Sequence, residues 1–162
     1  MRLLRYLYVL ALVVWLGGIV VAGAIVAPSV FGVLQDWNPA EGRVLAGRVF
    51  GEVLRRVHWL AYAMGTVMFV TLTLHRLLGA RPERYGIRAG IMAAMLLVML
   101  YSGFSVTPRV ATLQAQVEGP IARLADTDAR KVEFNRLHGL ANLLLGATAI
   151  GGLTLLWWEA RE

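Results

Sequence analysis

Four stretches of the chain carry no Asp, Glu, Lys or Arg: Tyr6–Gln35, Val57–His75, Ala89–Pro108 and Leu137–Trp158, of 30, 19, 20 and 22 residues. An α-helix rises about 1.5 Å per residue, so about 20 apolar residues cross a hydrocarbon layer about 30 Å thick. Each run reaches or nearly reaches that length. The runs hold 91 of the 162 residues, which confines all 26 formal charges to the other 71. A soluble globule spreads charge over its whole surface, and a disordered chain lacks this apolar density. Within lipid the backbone must satisfy its own hydrogen bonds, so each run should be helical.

The expected fold is all-α: a four-helix transmembrane bundle forming a single domain over 1–162, with spans at about 4–27, 57–77, 88–107 and 134–158. Pro28 should kink or end helix one, and Pro108 should end helix three, because proline lacks an N–H. Residues 36–56 become amphipathic, with Leu45, Val49, Val53 and Val57 opposing Glu41, Arg48, Glu52 and Arg55. That pattern predicts a short interfacial helix running into helix two. Residues 109–136 predict a helical loop broken at Gly119-Pro120, and residues 76–88 a short basic turn with Gly79, Pro82 and Gly86. The start, Met1-Arg2-Leu3-Leu4-Arg5, imitates a signal peptide, but its apolar run is twice the usual length. It reads as a retained first span.

There are no cysteines, which removes disulfides and thiolate sites. The net charge of +6 flanks the apolar runs, where it suits lipid phosphates; no basic stripe interleaved with aromatics suggests nucleic acid. Side A, with the termini and the 76–88 turn, has seven basic residues in 22; side B has nine in 49. Short, dense loops weigh most, so the termini are expected in the cytoplasm of a bacterial inner membrane.

Polar residues within the spans gather toward side B. His58 and His138 lie in the first turns of helices two and four, with Asn142 one turn beyond His138. Tyr101 and Ser105 occupy the side-B half of helix three. Intramembrane ionisable groups usually face a bundle interior, so these five residues form the candidate ligand pocket. Three readings of the two imidazoles stay open: hydrogen bonding between helices, axial ligation of haem b, or a transition-metal or proton site. Arg55, Arg56 and Arg136 precede the histidines and are candidates for lipid headgroups or an anion. Met92, Met95 and Met99 share one face of helix three, and Met64 and Met68 one face of helix two. Such thioethers fill gaps between helices and also favour Cu(I). Gly18-x-x-x-Ala22, Gly23-x-x-x-Ala27 and Ala147-x-x-x-Gly151 permit close helix pairing, within the chain or with another subunit. No phosphate loop, His-Glu-x-x-His or Gly-x-Ser-x-Gly motif occurs, and no carboxylate lies inside a run, so catalysis is not expected.

Trp15-Leu16-Gly17-Gly18, then Ala27-Pro28-x-x-Phe31, resembles the first helix of the transmembrane protein 205-like family. Tyr101 to Arg109 and Phe134 to Asn142 resemble its third-helix exit and fourth-helix entry. The resemblance implies a four-helix integral membrane protein of unknown function, and the eukaryotic member's link to heavy-metal drug resistance hints at metal handling. The opening motif is also similar to copper-resistance D-type membrane proteins, whose helices carry ligand histidines; this chain has none in helix one. Handling of a metal or small ligand is therefore the expected function. A structural accessory subunit of a larger membrane complex and a b-type haem redox protein are the alternatives.

Overall fold

The computed structural model describes residues 2–39, 41–78 and 84–161. Gly79 and Pro82 of the expected basic turn lie outside them. Four long helical columns stand side by side, and no strand occurs among the described residues. The first column comprises α1 (Arg2–Val21), a π-helical turn (Ala22–Val26) and α2 (Ala27–Trp37). The second is α3 (Glu41–Leu77). The third comprises α4 (Tyr85–Tyr101), a second π turn (Ser102–Val106) and α5 (Thr107–Ala115). After a loop with a single 3₁₀ turn (Ile121–Arg123), α6 (Ala129–Glu159) forms the fourth. All four columns are long and apolar enough to cross a membrane.

The expected end of helix three at Pro108 is corrected here, and of the two outcomes expected at Pro28, a kink or an end, the end does not occur. Helix one does not end at Pro28, nor helix three at Pro108; each continues after a widened turn. The Ala27 N–H donates to the Ala22 carbonyl, and the Thr107 N–H to the Ser102 carbonyl, both i→i+5 bonds immediately before proline. A proline ring crowds the carbonyl four residues back and cannot bond to it. Opening one turn relieves that crowding without breaking the column. The amphipathic segment 41–56 is helical as expected and enters helix two without a break.

α3 packs on α1, α2, α4 and α5, while α6 packs on α1, α4 and α5. Thus α3 and α6 stand on one diagonal of the bundle and α1 and α4 on the other. The core between them contains Tyr8, Leu12, Trp15, Met68, Met92, Met95, Met99 and Leu155. Leu16 of helix one lies 3.3 Å from where a side chain on Gly152 would begin, whereas Gly18 faces Leu60 of α3 and Gly151 faces Met95 of α4. At the side-B end, a Cβ on Gly42 would overlap the Leu34 carbonyl. Only glycine lets α3 turn back this closely along α2.

A candidate site around His58

His58 alone of the expected ligand set is enclosed by the bundle. Its exposure is 3%, while His138, Asn142, Tyr101 and Ser105 are exposed. His138 stacks on Phe134 of its own helix, with ring centroids 5.9 Å apart. The inward stripe of α6 is Thr148, Gly152, Leu155 and Glu159. Asn142 precedes Thr148 by six residues, which at 100° per residue places it about 120° around the helix. The shared depth of His58 and His138 was readable from spacing. The rotation of α6, which turns His138 outward, depends on which stripe packs. The structure does not bring the two imidazoles to a common cavity.

Around His58 the geometry is specific. Its Nδ1 lies 2.7 Å from the Leu54 carbonyl, one turn back on α3. A carbonyl only accepts, so Nδ1 carries the proton and donates. In the neutral ring, Nε2 is then a bare acceptor; it is buried and has no hydrogen-bond partner among the described residues. The ring lies against the second π turn, where a Cβ on Gly103 would fall 2.8 Å from His58 Cδ2 and onto the Tyr62 hydroxyl. Tyr62 donates to the Met99 carbonyl at 3.2 Å and stacks on Phe104 at 5.9 Å. Met99, Met95, Met92 and Met68 are buried, continuing the interior lining toward side A. Among the described residues, no three His, Asp or Glu side chains converge as a metal site, so any soft ion would depend on His58 and thioethers.

The expected anion group is also arranged differently. Arg55 and Arg56 both bind Glu52, at 2.7 and 2.9 Å, and Arg136 is exposed. At side A, the sequence missed a buried charge cluster. Glu159 of α6 accepts from Arg88 of α4, while Arg5 of α1 reaches its other carboxylate oxygen at 3.1 Å and its backbone carbonyl at 2.9 Å. Arg88 and Glu159 are both buried. With Tyr8, Thr71 and His75 they line a cavity of about 30 Å³.

Residues 10–118, about two-thirds of the chain, match the family described as a domain of unknown function, DUF4149. The chain belongs to the DUF4149 family. The match covers the first column from residue 10, the second and third columns and the whole His58 environment, and it stops before α6. No curated relative and no solved structure matches the chain. This DUF4149 protein is thus an integral membrane protein by the length and composition of its helices.

Proposed function

We propose that this protein is a non-enzymatic membrane protein that takes up a soft monovalent metal ion, Cu(I), at His58 in the side-B leaflet. The observation that carries this reading is the His58 Nε2: buried and without a partner among the described residues, on a ring whose Nδ1 is anchored to a backbone carbonyl. Metal-binding histidines are commonly oriented by that second bond, which fixes the tautomer and raises ligand basicity. A soft ion favours thioethers, and Met99, one turn before the Gly103 that faces His58, is buried. The chain has no thiolate. Since solvation cost grows with the square of charge, a monovalent ion loses about a quarter of what a divalent ion loses on leaving water. The resemblance to membrane proteins linked to heavy-metal and copper resistance points the same way. In this reading the termini face the cytoplasm and His58 lies toward the outer leaflet of an inner membrane.

The test is a titration of purified, detergent-solubilised protein with Cu(I) against a chromogenic chelator, with Zn(II) in parallel. One equivalent of Cu(I) is expected on the wild type and on His138→Ala. It should be absent from His58→Phe, which keeps the ring volume. A wild type that takes no Cu(I), or a His58→Phe variant that retains it, overturns the reading.

A further inference from the structure

On side B, the end of α2 and the N-terminal half of α3 form a hairpin beyond the charge-free runs. An open cleft of about 500 Å³ separates it from the loop carrying Gly119 and Pro120. That volume lies within the range of small-molecule sites. Trp37, Val44, Leu45 and Pro120 supply apolar lining, and Arg48 and Arg123 supply charge. Glu41 lies in the same cleft, two helical turns from Arg48, so the local charge is +1.

Like Arg43 and Arg136, the two cleft arginines are left without a carboxylate among the described residues, and of these four only they share the cleft. Arg55, Arg56, Arg109, Arg130 and Lys131 each hold a carboxylate, whereas Arg48 and Arg123 make no ion pair or hydrogen bond among the described residues. The hairpin also exposes Val33 and Trp37, each 69% accessible, along with Leu45 and Val49. Apolar and aromatic surface of this kind beside arginines suits the headgroup layer of a bilayer.

We propose that this cleft binds one anionic phospholipid of the surrounding membrane. Its phosphate sits between Arg48 and Arg123, and its headgroup glycerol, which points away from the hydrocarbon, lies against Trp37 and Leu45. One phosphodiester balances the local charge of +1, and a guanidinium pair matches its oxygens. A zwitterionic lipid would leave that charge uncompensated.

Native mass spectrometry of delipidated protein, titrated with phosphatidylglycerol, phosphatidylcholine or glycerol 3-phosphate, tests this. One phosphatidylglycerol should remain bound under conditions that strip phosphatidylcholine. Each of Arg48→Gln and Arg123→Gln should weaken it about tenfold, as loss of a charge-assisted bond does. Trp37→Ala should also weaken it, and Arg136→Gln should leave it unchanged. Thermal unfolding would confirm that each variant is folded. Equal retention of phosphatidylcholine, or full retention by the double Arg48→Gln, Arg123→Gln variant, overturns the proposal. Glycerol 3-phosphate binding as tightly as the lipid would show a soluble anion site and overturn the lipid assignment.

Discussion

Glu159 shows how a residue can be misplaced by its position along the chain. It follows directly after the last charge-free run, and Arg88 directly precedes the third, so linear counting assigns both to the headgroups. The structure turns them toward each other at the same end of α6 and α4 and buries both. A legible signal did exist: opposite charges at the margins of two spans that end on one side. Removing one member of a buried ion pair costs about 3–5 kcal/mol, whereas replacing both with apolar groups is often near neutral. Glu159→Gln, which removes the carboxylate that Arg5 and Arg88 share, should therefore lower the unfolding temperature in detergent markedly, and Arg88→Met with Glu159→Leu should recover part of the loss. Additive losses in that cycle would show that the ion pair does not act as a unit. His58 gives a second test. Gly103→Ala would press a methyl onto the Tyr62 hydroxyl and the His58 ring. Such overpacking costs about 1–3 kcal/mol. Tyr62→Phe in the same chain should restore part of it, since the hydroxyl is the nearest obstacle. No recovery would place the strain on the imidazole alone. The sequence marked His58 by its rarity within a span. It did not reveal the bare Nε2, because that depends on a neighbouring helix leaving the atom uncapped.

At the scale of the elements, helix positions were legible and their ends were not. Charge-free runs record the thickness of lipid, and columns that continue past the bilayer leave no such mark. α3 starts at Glu41, sixteen residues before its run begins at Val57. Pro108 was read as a terminator and Pro28 as a kink or an end because the local cost of proline is clear; the compensating π turn needs only one shifted hydrogen bond and has no signature in composition. Among the acids of the side-B loop, Asp128 is structural. Asp128 caps α6, its side chain accepting from the Arg130 N–H, and the Arg130 guanidinium pairs with it at 2.7 Å. Those contacts hold its carboxyl down at about 2. A depressed carboxyl stabilises the fold above its ordinary range and loses that contribution as pH falls through its folded value. The first turn of α6 should therefore be firm at neutral pH and fray as pH drops from about 4 toward 2. NMR resonances of the Arg130 and Lys131 amides over that range would report it. Asp128→Ala should show the frayed resonances at pH 7, and Asp128→Asn, which keeps a capping oxygen, should not. An Asp128→Ala helix start that stays as protected as the wild type would remove the cap from the account.

For the whole molecule, the asymmetry between the two ends makes orientation a testable prediction. α1 begins, α3 ends, α4 begins and α6 ends at side A, and Arg5, His75, Arg88 and Glu159 meet there in one cavity. The columns run 36, 37, 31 and 31 residues. At 1.5 Å per residue these are about 46–55 Å long, against about 30 Å of hydrocarbon. With the side-A ends level, the excess of about 15–25 Å must stand on side B, where the helical loop and the α2–α3 hairpin form a cap. The bundle was legible because lipid leaves the backbone few options; the cap was only partly so, because its helices are stabilised by packing such as Gly42 on Leu34. Basic residues at side B are spread over this ordered cap, and five of them are held by carboxylates. Those at side A lie close to the span ends, where such residues govern insertion most strongly. Side A should therefore face the cytoplasm. Because the chain has no cysteine, single cysteines report this directly. Asp126, whose side chain is 96% exposed, is a suitable side-B position, and the exposed Ala160 a suitable side-A one. In intact bacterial cells, a membrane-impermeant maleimide that passes the outer layer should label Asp126→Cys. Ala160→Cys should react only after the inner membrane is opened. The reverse pattern would invert the orientation and move His58 to the cytoplasmic leaflet while leaving the bundle intact. Labelling of both positions from one side would contradict the four-span arrangement itself, since α6 must carry the chain across between residues 126 and 160.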